Sequence, residues 1–166
     1  DVVADSLRVG NMFSCSLMYI DLDKNHQPEW VFTVGEWQRT GSATGIGQRF
    51  YLPDFAMAKL WMANPSAPIM FENVQTDPRM DPYTRSVYAA LNTEASVVIP
   101  LVQAGRWVGL VSISWTEVHE FTEEESQLFK TVQVLISASV ENQRLLDDKN
   151  RALEELQNKL ETIERQ

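Results

Sequence analysis

Residues 97–115, VVIPLVQAGRWVGLVSISW, leave a folded chain little choice. β-Branched and aromatic residues alternate on either side of Ala104-Gly105, the pattern of two strands joined by a tight turn. Val97, Ile99 and Leu101 share one face, with Trp107, Gly109, Val111, Ile113 and Trp115 alternating on the partner strand. The opposite face carries Val98, Val108 and Leu110, interrupted only by Ser112 and Ser114. A strand pair that is apolar on both faces must be covered on both. The hairpin therefore belongs to a central layer, and it holds almost nothing that does chemistry.

Length and composition allow one such layered unit. At 166 residues and 44% hydrophobic, the chain builds one well-buried domain and is too short for two. Fourteen basic against 23 acidic residues give a formal charge of −9, which argues against a nucleic-acid or anionic-membrane surface. No run of eighteen apolar residues occurs, so the sequence predicts no membrane span. The start, DVVADSLRVG, lacks an initiator Met and the order of a signal peptide, and reads as a fragment of a longer chain. Cys15 stands alone, which excludes an internal disulfide or a multi-cysteine metal site and favours a reducing, cytoplasmic setting.

Upstream of the hairpin, SCSLMYIDL (14–22) and EWVFTV (29–34) read as strands around the polar turn DKNHQP. From Gly35 to Pro53, with GSATGIGQ at its centre, the chain reads as a long loop. Asp54 is the expected cap of a helix over FAMAKLWMA, stopped at Asn64-Pro65. PIMFEN (68–73) reads as a third strand. After the turn cluster QTDPRMDP, Asp81 caps a helix with Pro82 in its first turn and Asn92 as a left-handed stop.

Beyond the hairpin, Thr122 and Glu125 form a capping box with an acidic first turn. Neither Gly nor Pro follows as far as Gln166, so the sequence predicts one helix roughly 65 Å long. Leu128, Phe129, Val132, Leu135, Ile136 and Val140 make a broad stripe for packing on the sheet. After Leu146 the stripe narrows to Leu153, Leu156, Leu160 and Ile163, spaced 3-4-3 as in a coiled-coil seam. With Leu146, Leu153 and Leu160 at a, the d positions are Lys149, Leu156 and Ile163, and Lys149 is a flaw in the seam. Lys159 at g and Glu164 at the following e have the signs to pair across a parallel dimer. A helix folded back on its own domain is the competing reading, but it needs a wider apolar face and a breaker.

Catalytic signatures are missing from the sequence. DLDKNH (21–26) starts like a calcium loop, yet His26 stands where the loop needs Gly and Phe32 where it needs Glu. GSATGIG has no Lys-Ser/Thr after its glycines and opens no helix, so it is no phosphate cradle. His119-Glu120 lacks the second histidine of a zinc helix, and no G-x-S-x-G occurs. No catalytic residue, metal site or cofactor is assigned. The aromatics Trp30, Phe50, Trp61, Phe71, Tyr83, Tyr88 and Trp115 are the candidate lining of an apolar cavity, with Ser112 and Ser114 as polar contacts. Plain core packing is the competing reading for each of them.

ASVVIPLVQAGRWVGLVSISW, followed by HEFTEEESQLF and ASVENQRLL, resembles a GAF domain. The resemblance rests on Pro100-Leu101, Gly105, Gly109-Leu110, Phe121-Thr122 with Glu125, and Glu141-Asn142 before Leu145-Leu146. APIMFENVQTDPRMD resembles the family's middle strand and its Asp-Pro turn. The resemblance implies an α+β fold with an antiparallel sheet of five or six strands. The first and last helices would lie on one face, and loops and short helices would build a ligand pocket on the other. It implies a sensory domain over 1–146 and a coiled-coil linker helix over 147–166. The function expected is a non-catalytic, homodimeric, cytoplasmic module whose exit helix signals to an output domain such as a histidine kinase or nucleotide cyclase. The ligand would be an unknown small molecule. Bilin-binding relatives attach their chromophore through a cysteine in or near the pocket helices, and 81–92 has none. No cyclic-nucleotide signature is present either. A ligand-free dimerisation scaffold is the alternative, and an enzyme of the free methionine sulfoxide reductase type a weaker one, since one cysteine cannot both attack and be resolved.

Overall fold

The computed structural model describes residues 12–40 and 45–166. Their strands are β1 (Ser14–Leu22), β2 (Pro28–Gln38), β3 (Arg49–Tyr51), β4 (Ile69–Phe71), β5 (Ala95–Gln103) and β6 (Arg106–Trp115). Their helices are α1 (Ala58–Ala63), α2 (Pro82–Ala90) and α3 (Glu123–Glu164). The strands form one sheet in the order β3-β2-β1-β6-β5-β4, antiparallel throughout. The N-terminal helix expected from the family resemblance falls outside the described residues. Among the described residues, no helix is long and apolar enough to cross a membrane.

The β5–β6 hairpin turns where the sequence placed it. Ala104 and Gly105 both have positive φ, 51° and 75°, as a two-residue turn of the primed kind requires. Its strands are covered on both faces. Val97, Ile99, Val111 and Ile113 are buried beneath α3, and Val98 and Leu110 are buried toward α1 and α2. One detail differs from simple alternation. The pairing steps from Leu101 opposite Gly109 to Val102 opposite Trp107, so Val108 is the extra residue of a bulge. Trp107 consequently packs edge-on to Trp61 on the α1 side, while Val108 joins the α3 side, the reverse of the expected faces. Gly109 lets β1 approach closely, because a side chain there would collide with the Met18 carbonyl oxygen.

β2 continues to Gln38, four residues past its expected end, because β1 offers it partners back to Ser14. The expected loop over 35–53 therefore contains the end of β2 and the short strand β3. A second bulge makes the extension possible. Met18 pairs with Thr33 and Leu17 with Gly35, leaving Val34 as the extra residue.

Asp54 does not cap α1. With Pro53 it forms a tight turn over Leu52–Asp54, and the helix begins only at Ala58. The Met57 N–H instead donates to Asp81, the cap of α2 (3.0 Å). Asn92 has φ 54° and stops α2 as expected. The Thr122–Glu125 capping box opens α3, whose 42 residues span about 63 Å. Phe129, Val132, Gln133, Ser137 and Val140 are its buried residues. Leu135 was expected among them but is 69% exposed, because a 3.6-residue turn carries it to the far side.

Polar contacts also tie α3 to the sheet. Gln133 Nε2 donates to the carbonyls of Pro100 (2.8 Å) and Pro65 (2.9 Å). The β1–β6 ladder ends with Tyr19 opposite Gly109. Just beyond that point Arg144 donates to the freed carbonyls of Ile20 and Val108, and also to Asp21 Oδ1. The Tyr19 hydroxyl donates to Asp147 (2.8 Å), where burial and the neighbouring carboxylate push its pKa up to about 12.

Candidate functional site

The face of the sheet away from α3 floors a cavity of about 170 Å³. Two rows of side chains cross this floor, because directly paired residues of antiparallel strands point the same way. One row runs Gln38, Ser14, Ser114, Ser96, and the other Glu36, Ser16, Ser112, Val98. Met18, Val31 and Leu110 make the floor beside them apolar. Phe50 comes from β3, Leu52, Phe55 and Met57 from the chain leading to α1, and Trp61 from α1 itself. Thr84, Val87 and Tyr88 close the wall from α2.

The bulge at Val34 decides what Glu36 does. In unbroken alternation Glu36 would share the α3 face with Phe32 and Val34, both of which pack there. The extra residue reverses the parity, so Glu36 and Gln38 face the cavity while Trp37 takes the α3 side. Glu36 accepts from the Gly45 N–H and from Gln38 Nε2 (2.6 Å). It is the one charged side chain lining the cavity among the described residues. Ser14 and Ser114 bond each other, whereas the hydroxyls of Ser16 and Ser112 have no partner among the described residues.

Asp81 fixes the roof. Its Oδ1 accepts from the Met57 N–H and the Thr84 hydroxyl, and its Oδ2 from the Thr84 N–H, so one carboxylate joins α1 to α2. Burial alone would raise its pKa, but the hydrogen bonds from Thr84 and Met57 outweigh burial and hold the carboxyl below its ordinary value. Tyr88 has its pKa raised by burial, and its hydroxyl accepts a long bond from Ser96 (3.4 Å).

Of the candidate pocket residues, Phe50, Trp61, Tyr88, Ser112 and Ser114 line the cavity. Phe71 is buried on the same side but behind the wall. Tyr83 packs against Phe55 and is half exposed, and Trp30 lies beside Tyr51 under the Arg49 guanidinium. Trp115 belongs to the other face, stacked on His119. Ser14, Ser16, Thr33, Glu36 and Gln38 went unnoticed in the sequence. Two S-x-S pairs at strand period, SCS and SIS, carry the signal for Ser14 and Ser16, while nothing in the sequence reveals Glu36. Cys15 lies on the α3 face, where burial pushes its thiol up to about 12, so it is no anchor for a pocket ligand. The candidate seam residues Leu146, Leu153, Leu156, Leu160 and Ile163 are 48–64% exposed on α3.

The GAF domain family model matches residues 2–140. Among solved structures, the chain is similar to the blue-light absorbing form of the PixJ GAF domain of Thermosynechococcus elongatus. Identity is 16% and the TM-score 0.66, over 93% of this chain and 87% of that one. It is also similar to the phycoerythrobilin-bound GAF domain of a cyanobacterial phytochrome, at 13% identity and TM-score 0.69, over 87% and 84% of the two chains. A domain assigned to a two-component sensor histidine kinase protein of Sinorhizobium meliloti 1021 aligns at 17% identity and TM-score 0.57, over 90% and 91%. Among curated proteins, none matches this chain in sequence.

Proposed function

The chain belongs to the GAF domain family, and on that premise we propose that it is a non-catalytic sensory module. A small molecule occupies the cavity, two chains pair along α3, and the exit helix carries the signal to an output domain such as a histidine kinase or nucleotide cyclase. One observation carries this reading: cavity and exit helix lie on opposite faces of the same strands. Ser16 and Met18 of β1 face the cavity, while Leu17 and Tyr19, their neighbours in the chain, face α3.

Pairing along α3 is supported by its outer face. Leu153, Leu156, Leu160 and Ile163 are all exposed at heptad spacing. Upstream the same register meets Lys149, Asn142 and Ser139, so the apolar row is unbroken only from Leu153 to Ile163, beyond the sheet. A row this apolar on a helix this long needs a covering surface, and an identical row supplies one.

Sedimentation equilibrium of the chain at micromolar concentration tests the pairing, where a dimer is expected. Leu153→Ser with Leu156→Ser should shift the equilibrium toward monomer and leave the near-UV spectrum of the domain unchanged. A monomeric wild-type chain overturns the dimer. A dimer that binds no ligand in a thermal-shift screen overturns the sensor.

A further inference from the structure

We propose that the cavity takes a small organic ammonium, an aromatic or branched apolar primary amine, with its charged end over the row Glu36, Ser16, Ser112. This deepens the sensory reading and rests on its assignment of the cavity as a ligand site.

Charge is the first consideration. Glu36 is the sole carboxylate on the wall among the described residues, and no Lys, Arg or His faces it there. An anion would sit against the Glu36 carboxylate with no cationic side chain on the described wall to offset the repulsion. A cation gains a charge-assisted bond. Glu36 points inward only because Val34 is inserted in β2, and bulges are a common means of aiming a side chain at a site.

Donor count is the second. An ammonium has three N–H groups, and the row presents three acceptors: the carboxylate of Glu36 and the hydroxyls of Ser16 and Ser112. Neither serine is engaged by the described protein. Both serines are half-buried and border the cavity, so their hydroxyls stand available to a bound group. Phe50, Trp61 and Leu110 form the complementary apolar end.

Size is the third. A cavity of about 150 Å³ holds benzene, and this one is about 170 Å³. A ring with a one- or two-carbon arm fits, and a linear tetrapyrrole does not.

The test uses benzylamine, benzyl alcohol and benzoate as probes of matched shape and different charge, titrated into the full chain with tryptophan fluorescence and calorimetry as readouts. Benzylamine is expected to bind about tenfold or more tightly than benzyl alcohol, and benzoate not to bind. Glu36→Gln keeps an oxygen for the Gly45 N–H, so it should cost benzylamine about tenfold and leave benzyl alcohol unchanged. Ser16→Ala with Ser112→Ala should weaken benzylamine by several-fold in a chain whose circular dichroism matches wild type. Equal affinity for amine and alcohol, or an amine affinity indifferent to Glu36→Gln, overturns the ammonium assignment and leaves the cavity standing as a neutral site. Binding of none of the three probes overturns the cavity as a ligand site as well.

Discussion

Replacing Asp81 with Ala should loosen the roof of the cavity more than any surface change nearby. Three donors converge on this carboxylate: Met57 N–H, Thr84 N–H and the Thr84 hydroxyl. Loss of the N-cap of α2 costs about 1 kcal/mol. Met57 and Thr84 are buried, at 6% and 1% exposure, so donors left without a partner there add about 1–3 kcal/mol. Together about 2–4 kcal/mol disappear, which lowers Tm by roughly 4–16 °C in a chain of this size. Asp81→Asn keeps one acceptor oxygen for Met57 and the hydroxyl while giving up the Thr84 N–H, and should fall between wild type and Ala. Urea unfolding followed by tryptophan fluorescence and circular dichroism measures both. The midpoint should move with the slope unchanged, and amide exchange should quicken at Met57 and Thr84 before it does in β6. A loss for Ala below about 0.5 kcal/mol, which is the range of ordinary surface substitutions, would refute the idea that one carboxylate holds the two helices together.

Acid should act on the same contacts. The bond from Arg79 holds Asp77 below its ordinary pKa. For Glu125, burial is outweighed by bonds from Thr122 and His119, and Asp81 is depressed likewise. Folded pKa values below the unfolded ones give stability that is complete above the unfolded pKa, so unfolding free energy should fall as pH drops below about 4. Asp81→Asn should flatten part of that slope. Gly109→Ala drives a methyl group into the Met18 carbonyl, and should cost about 1–3 kcal/mol in urea unfolding. Arg144→Leu strands the carbonyls of Ile20 and Val108, and should cost about 1–3 kcal/mol. It should also free α3 beyond Val140 to exchange its amides faster, which mass spectrometry of deuterium uptake resolves.

What could be read from the sequence and what could not divide along a physical line. Strict alternation announced β1 and the β5–β6 hairpin, and local cap chemistry announced α2 and the start of α3, because each signal sits within a few residues of the structure it causes. The bulges at Val34 and Val108 leave no such mark. Val34 and Val108 look like ordinary strand residues, yet each reverses the facing of what lies beyond it, which is why Trp107 and Val108 changed places and Glu36 went unseen. Asp54 looked like a cap because it precedes an apolar run. The acceptor that the Met57 N–H uses lies 24 residues further on, and a local pattern cannot report it. Aromatics were a poor guide to the cavity because burial draws them to both faces alike. The paired serines were the better sign, since a strand bound for a dry core has no use for them.

On the sensory reading, the distance between ligand and helix is one peptide unit, and this sets what the ligand must accomplish. Ser16 and Met18 touch the cavity where Leu17 and Tyr19 touch the α3 side, so a shift of β1 that let Ser16 meet a bound group would also carry Tyr19, whose hydroxyl bonds Asp147. That bond has an ionised acceptor and belongs to the class worth about 1.5–3 kcal/mol. Couplings between ligand and output sites are of the same size, about 1–3 kcal/mol. Making or breaking a single contact at Tyr19 would therefore match in size the coupling that a sensor of this kind needs. The bias also has a preferred direction along the helix. Arg144 and Asp147 bracket Leu145 and Leu146, where α3 leaves the sheet, so the contacts that feel β1 stand at the root of the leucine row. A ligand bound equally well in both arrangements would move neither, which makes the differential grip of β1 on Tyr19, rather than affinity alone, the property that distinguishes an effective ligand from a silent one.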